Sequence, residues 1–440
     1  MKEQTRIPTG KVQRAAKFVS TGARIGGNYL KHNVRKAMGQ NDQDQLHEDN
    51  AEDIYNALSE LKGSALKVAQ MMSMDKNMLP GAYQQRFTMA QYSAPPLSYP
   101  LVVKTFQKQF GKGPDQLFDS FTKNAVNAAS IGQVHQATLD GKKLAVKIQY
   151  PGVADSISSD LKLVRPLASR ILNISSAELD HYMSEVESKL LEETDYDLEL
   201  RRGQEITQAL AHLPNLQFPT YYPELSSTRI LTMDWMEGLH IPEFNKSNPS
   251  QELRNRVGQA MWDFYHHQIH ELRQVHADPH PGNFIIAPDG TLGVIDFGCV
   301  KELPEAFYKG YFRLLPKGIT NREEELMKLF YSMDFLYEGD TQEDIRFFVG
   351  IFKEMIGILG RPFHSHSFDF ADDVYFRDIY EMGDRIGRSP EYKKARQARG
   401  PKDALYVNRT YFGLYNLLNQ LQAQVTTTKP EWMTEAIMTS

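Results

Sequence analysis

The stretch QVHADPHPGNFIIAPDGTLGVIDFGCV, residues 274–300, constrains the fold most, because it sets acidic and amide side chains among strand-forming runs. Asp278 and Asn283 are five residues apart, and Asp296 follows an apolar run as the first residue of Asp-Phe-Gly. Between these positions, FIIAPDGTLGVIDFG predicts a β-hairpin that turns at Asp289-Gly290. Such a hairpin would bring Asn283 and Asp296 to one end of two paired strands.

This pattern suits phosphoryl transfer, which needs a metal and a cation on the phosphates and a group that orients the nucleophile. Asp-x-x-x-x-Asn is the spacing of a kinase-type catalytic loop, and Asp296 offers a hard carboxylate oxygen to the same Mg²⁺. Upstream, ASIGQVHQATLDGKKLAVKIQY predicts two strands joined at Asp140-Gly141, with Lys147 on the second. We therefore predict that Asp278 is catalytic, that Lys147 is catalytic and binds phosphate, and that Asn283 and Asp296 bind Mg²⁺ with ATP or ADP.

The order of these elements predicts an α+β, two-lobed protein-kinase-like fold. Residues 1–100 are predicted to form a helical N-terminal extension that ends at the breaker SAPPLSYP. Residues 101–238 are predicted to form a kinase-like N-lobe with inserted helices, including one long helical stretch from Glu178 to about His212. Residues 239–440 are predicted to form a helix-rich C-terminal lobe that carries the catalytic and metal loops.

Charge and composition bound the cellular setting. The chain has one cysteine, Cys299, which excludes an internal disulfide and fits a reducing compartment. Its longest apolar runs, such as FFVGIF, are far shorter than the roughly 20 residues of a membrane-spanning helix, and no signal peptide is expected. Residues 1–40 contain nine Lys/Arg and one acid, although the whole chain has a formal net charge of −5 at pH 7. This basic leader favours an anionic membrane surface over nucleic acid; a solvated helix and a mitochondrial transit peptide are the alternatives.

At these residues the chain resembles the UbiB family of atypical, kinase-like proteins linked to ubiquinone biosynthesis, over most of residues 5–305. NAASIGQVHQA resembles the alanine-rich loop that replaces the glycine-rich nucleotide loop of ordinary kinases. EETDYDLEL resembles the family's Glu-x-Asp signature, and HADPHPGNF and DFG resemble its catalytic and metal loops. LKGSALKVAQMMS resembles the Lys-x-Gly-Gln motif of its N-terminal extension, although Ala69 stands where the family has glycine.

The resemblance implies further site residues. Those expected to bind the nucleotide are Ala128, Ala129, Ser130 and Gly132; those expected at the catalytic site are Glu193, Asp195, Glu199, Lys67 and Gln70. Glu199 is the acid expected to hold Lys147. Lys67 and Gln70 are spaced i and i+3 on one helix face, and the resemblance implies that the extension occupies the place of a protein substrate. We therefore expect an atypical kinase or ATPase without protein-kinase activity on other proteins.

Three functions remain open from the sequence. The first is an Mg²⁺-dependent kinase-like ATPase that supports quinone or isoprenoid-lipid biosynthesis at a membrane surface. The second is a small-molecule phosphotransferase of the aminoglycoside or choline kinase type, because HADPHPGN also resembles the catalytic loop of those kinases. The third is a non-catalytic, nucleotide-dependent scaffold. Expected partners are nucleotide, an anionic membrane, quinone or isoprenoid lipid precursors and lipid-biosynthesis proteins, without nucleic acid.

The protein is expected in the cytoplasm, bound peripherally to the inner membrane, and the mitochondrial matrix is the alternative location. Four further histidines carry no predicted function. His135, His280 and the pair His266-His267 are expected to be solvated or packed rather than to bind metal.

Overall fold

The computed structural model describes residues 43–61, 97–128, 131–172, 176–394 and 399–427. The α-helices in these ranges are α1 (Gln43–Leu61), α2 (Tyr99–Phe110), α3 (Val153–Leu172), α4 (Ser176–Glu193), α5 (Tyr196–Leu210), α6 (Ile241–Lys246), α7 (Gln251–His270), α8 (Glu305–Phe312), α9 (Glu323–Ser332), α10 (Gln342–Leu359), α11 (Asp373–Arg388), α12 (Pro390–Lys394) and α13 (Lys402–Leu421). The β-strands there are β1 (Ser120–Phe121), β2 (Asn127–Ala128), β3 (Gly132–Leu139), β4 (Lys142–Gln149), β5 (Leu216–Gln217), β6 (Ile230–Asp234), β7 (Gln274–His276), β8 (Phe284–Ile286), β9 (Leu292–Val294), β10 (Val300–Glu302), β11 (Ser367–Asp369) and β12 (Gln424–Thr426).

The chain divides into two compact units. Unit 1 runs to Gly203 and also includes Thr220–Trp235, whereas unit 2 consists of Gln204–Pro219 and the chain from Met236 onward. No helix within the described ranges combines the length and the apolar character that crossing a membrane requires.

Unit 1 is built on an antiparallel sheet with the strand order β1-β3-β4-β6, in which β2 also pairs with β3. The predicted hairpin of β3 and β4 is confirmed, since the strands pair over their full length from Gly132–Gln149 to Leu139–Lys142. Its turn residues, Asp140 and Gly141, both have positive φ, which matches the right-handed twist of a two-residue hairpin.

The helices of unit 1 differ from the prediction in one respect. The predicted helical stretch from Glu178 to about His212 is helical but is divided in two, because α4 ends at Glu193 and α5 begins at Tyr196. The Asp195 side chain accepts a hydrogen bond from Leu198 N at 3.1 Å, so it caps a new helix rather than continuing the old one. In α1, the predicted apolar positions Ile54 and Leu58 are buried.

Unit 2 is mainly helical, as predicted, around the buried helix α7. Ser250 caps this helix by accepting a hydrogen bond from Leu253 N at 3.3 Å, and its aromatic and aliphatic side chains are buried. The predicted second hairpin is also confirmed, because β8 and β9 pair antiparallel across the turn at Gly290. The short ladders β7–β10 and β11–β12 were not predicted. The β7–β10 ladder brings the strand before Asp278 beside the strand that follows Asp296.

Candidate active site

In unit 1 the candidate phosphate-binding lysine is buried beside an acid. Lys147 lies in β4, opposite Val134 of β3 and Leu231 of β6. Its Nζ donates to both carboxylate oxygens of Glu199, at 2.9 and 3.1 Å. The side chains are only 9% and 2% exposed, and the Lys147 Nζ also lies 5.2 Å from the centre of the Tyr196 ring.

The break between α4 and α5 places Glu199 at this position. Glu199 N donates to Asp195 O at 3.1 Å, in the first turn of α5. Asp195, predicted as a catalytic acid, thus has a structural role as the cap of the helix that carries Glu199. Glu193 lies at the last position of α4 and is buried. A catalytic role for either acid stays a prediction.

Gly132, predicted in the nucleotide loop, has a packing role. A Cβ at this position would lie 2.4 Å from Ile148 O and 3.0 Å from the Tyr196 hydroxyl. Any larger residue would therefore push β3 away from β4 or from the start of α5. The backbone of Ala128 lies in β2 and pairs with Gln133. Ala129, Ser130, Lys67, Ala69 and Gln70 lie outside the described residues, so their predicted roles remain predictions.

A buried chain of hydrogen bonds supports the strand next to this loop. Gln133 Oε1 accepts from Leu97 N at 2.6 Å, and its amide nitrogen lies 2.8 Å from His135 Nε2. His135 Nδ1 lies 2.7 Å from Thr122 O. Because that carbonyl can only accept, Nδ1 carries the proton and Nε2 accepts from Gln133. Burial lowers the pKa of His135, which keeps this packed histidine neutral.

In unit 2, hydrogen bonds to backbone carbonyl groups hold the catalytic loop against the metal loop. His276 Nε2 donates to Asp296 O at 2.7 Å, and Ala277 N donates to Cys299 O at 2.9 Å. Ile295 N donates to Asn283 O at 3.1 Å. These contacts tie the two loops together on both sides of Asp296.

The candidate metal ligands present oxygen atoms. The Asn283 side-chain nitrogen donates to Asp278 O at 2.9 Å, so the side-chain oxygen is the atom that Asn283 offers to a cation. Asp296 Oδ1 accepts from Gly298 N at 2.9 Å, which orients its carboxylate. One carboxylate and one amide oxygen fit the preference of Mg²⁺ for hard ligands.

Sequence reasoning missed one residue beside Asp278. Arg409 of α13 lies with Nη2 3.7 Å from Asp278 Oδ1. Helix α13 also touches the loop at Gly413, where a Cβ would lie 2.0 Å from Pro279 Cγ. Burial, with a contribution from the Asp278 charge, raises the pKa of the Tyr265 hydroxyl well above its usual value. No motif marks Arg409, since its position depends on how α13 packs.

Two of the other histidines are packed or locally bonded, as expected. His266 is buried and stacks on Trp262, with ring centres 4.1 Å apart. His280 Nδ1 accepts from Gly282 N at 3.1 Å within the catalytic loop.

A buried strand lysine with its helix acid, a catalytic-type loop and an Asp-Phe-Gly segment define a kinase-like protein. Residues 89–330 match the family model of the ABC1 atypical kinase-like domain. The chain therefore belongs to this family, and the resemblance to UbiB proteins and the α+β kinase-like fold are both confirmed.

Relatives that match nearly the whole chain support this family assignment. The atypical kinase COQ8, mitochondrial, of Saccharomyces cerevisiae is 28% identical over 95% of this chain and 83% of that protein. The atypical kinase COQ8B, mitochondrial, of Rattus norvegicus is 28% identical over 96% of this chain and 80% of that protein. The solved complex of Rv3197 with erythromycin, from Mycobacterium tuberculosis, is 26% identical and covers 90% of this chain and 97% of its own, with a TM-score of 0.60. The relatives named as atypical kinases do not favour the small-molecule phosphotransferase alternative.

Proposed function

We propose that this atypical kinase-like protein binds ATP or ADP with Mg²⁺ and turns ATP over. The observation that carries the proposal is the buried pair of Lys147 and Glu199, with both oxygens within 3.1 Å of Nζ. In kinases the equivalent strand lysine acts on the nucleotide phosphates only when its helix glutamate holds it. Asn283 and Asp296 would hold the metal, which neutralises phosphate charge when it is bound. Asp278 would orient the attacking group.

The experiment compares two Asp→Asn variants, one at the proposed metal site and one at the turn between β8 and β9. Asp296→Asn removes the carboxylate from the proposed metal ligands and should abolish the Mg²⁺-dependent part of nucleotide binding in calorimetry. Asp289→Asn is the matched control, because the Asp289 side chain lies at the exposed turn, where it accepts a hydrogen bond from Thr291 N. The control should bind as wild type does. Equal Mg²⁺-dependent binding by Asp296→Asn and wild type would contradict the proposal.

The proposed setting is quinone or isoprenoid-lipid biosynthesis at an anionic membrane surface, in the cytoplasm or the mitochondrial matrix. The support is the resemblance to UbiB proteins and the basic composition of residues 1–40. Loss of quinones in a deletion strain, with restoration by the intact gene, would support it. Unchanged quinone and isoprenoid-lipid profiles would contradict it. Salt-sensitive co-sedimentation with anionic vesicles, weakened by deletion of residues 1–40, tests the membrane part.

The proposed activity excludes transfer to other proteins, because the resemblance assigns Lys67 and Gln70 to an extension that occupies the place of a protein substrate. Wild type should hydrolyse ATP without labelling added proteins. Lys67→Ala should change turnover or self-labelling. Labelling of added proteins by wild type would contradict this part of the proposal.

A further inference from the structure

A second group of ligand-type side chains lies in unit 2, apart from the metal ligands proposed above. It consists of His212, which follows α5, and of His267 and Glu271 at the end of α7. One donor atom from each of the three can be chosen so that all lie within 4.8 Å of one another. His212 and Glu271 are exposed and His267 is half-buried, so an ion from solution can reach them.

A hydrogen bond to the backbone determines which ring nitrogen of His212 can bind a cation. His212 Nδ1 lies 3.0 Å from Ala209 O, and because a carbonyl only accepts, this nitrogen carries the proton. The lone pair is therefore on Nε2. A histidine that binds a metal commonly donates its other N–H to a carbonyl in this way, which sets the ring orientation.

The other two ligands are spaced i and i+4 on one helix face. His267 Nδ1 lies 2.8 Å from Glu271 Oε1, and the His212 and His267 rings meet edge to face with centres 5.8 Å apart. The spacing is that of paired metal ligands on a helix. It is also that of an ordinary helix ion pair, so the pair alone does not identify a site. The third ligand, His212, comes from a different segment, so that side chains from two separate parts of unit 2 meet in this group.

The local electrostatics favour a positive ion. Glu271 is the C-cap of α7, where the helix dipole and the last carbonyl groups are negative. Asp263 lies one turn before His267 and interacts with it electrostatically. Glu271 and the helix C-terminus thus lie beside the two imidazoles, and Asp263 adds a second carboxylate near His267.

We propose that His212, His267 and Glu271 bind a divalent cation of the Zn²⁺ class, with water in the fourth position. Two imidazole nitrogens and one carboxylate oxygen form the donor set of three-ligand zinc sites. Mg²⁺ prefers oxygen ligands and should not compete. The bound ion would connect the segment before β5 to the end of α7, three residues before β7 and the catalytic loop.

The test is calorimetric titration of the full-length, nucleotide-free protein with Zn²⁺, in the presence of Mg²⁺. Wild type should bind one equivalent at this site, and His212→Ala and His267→Ala should each weaken that binding by at least about tenfold. His366→Ala is the matched control, since His366 is an exposed histidine of unit 2 outside the group. It should bind as wild type does. Thermal melts without metal check that the variants fold.

Substitution with Co²⁺ gives a second measurement, because a four-coordinate site produces strong visible absorption that the two variants should lose. The absence of saturable Zn²⁺ binding, or equal affinity in wild type and both variants, would overturn the proposal and leave a surface ion pair. Asp296→Asn should keep the Zn²⁺ affinity, so failure of the proposed nucleotide function is distinguishable from failure here.

Discussion

Removing one partner of the Lys147–Glu199 pair should destabilise unit 1 strongly. Two unit charges about 3 Å apart attract by roughly 5 kcal/mol at an effective dielectric constant of about 20. The pair is only 9% and 2% exposed, so either substitution leaves a buried charge without this partner. Lys147→Met and Glu199→Gln should each lower the free energy of unfolding by about 3–5 kcal/mol.

The double variant separates stability from function. Lys147→Met/Glu199→Gln removes both charges and keeps similar side-chain volumes, so it should recover a large part of the lost stability. We expect a coupling free energy of at least about 2 kcal/mol in the double-mutant cycle. Nucleotide binding should stay lost in the double variant, because it lacks the lysine that is proposed to contact the phosphates.

Two assays check this prediction. Urea unfolding followed by circular dichroism measures the free energies, and calorimetry with ATP and Mg²⁺ measures binding to each folded variant. Strictly additive destabilisation would show that Lys147 and Glu199 are not coupled in solution. Wild-type nucleotide affinity in a folded double variant would refute the assigned role of Lys147.

Two further predictions concern α13 and the segment before it. Arg409→Gln should lower ATP turnover by about fivefold, the equivalent of about 1 kcal/mol for a partly exposed ion pair, while nucleotide affinity stays within about twofold; Arg409→Lys should restore part of the turnover. Arg399 Nη2 donates to Asp340 Oδ1 at 2.7 Å, and this hydrogen bond, opposed by burial, holds the pKa of Asp340 below its usual 3.8. Arg399→Gln should therefore cost about 2 kcal/mol of stability at neutral pH. The difference from wild type should shrink as the pH falls below about 4, because the interaction that lowers the pKa of Asp340 stabilises the folded protein only while Asp340 is ionised.

Steady-state kinetics and urea unfolding at several pH values provide the measurements. An equal loss of nucleotide affinity and turnover in Arg409→Gln would indicate a general structural effect rather than an action on Asp278. A stability difference between wild type and Arg399→Gln that stays constant from pH 7 to about pH 3 would show that Asp340 protonation is not linked to this pair.

The local elements could be predicted from the sequence because their signals are local. Alternating apolar residues around Asp140-Gly141 and Asp289-Gly290 define two hairpins, and both are present. The types and spacing of Asp278, Asn283 and Asp296 indicated phosphate and metal chemistry. The position of Lys147 on a strand next to a turn could be predicted for the same reason, because it depends only on neighbouring residues.

Contacts between distant segments were decided by the tertiary structure. Glu199 lies 52 residues from Lys147. The family resemblance named it as the partner of the lysine, but the contact itself forms because the helix breaks at Asp195, a break that apolar periodicity did not show. Arg409 meets Asp278 only because α13 packs against the catalytic loop, and His212 meets His267 only because two segments converge. The sequence by itself determined the two hairpins and the kinds of side chain in the loops, since turn chemistry and strand periodicity act over a few residues. Only packing decided which side chains face one another.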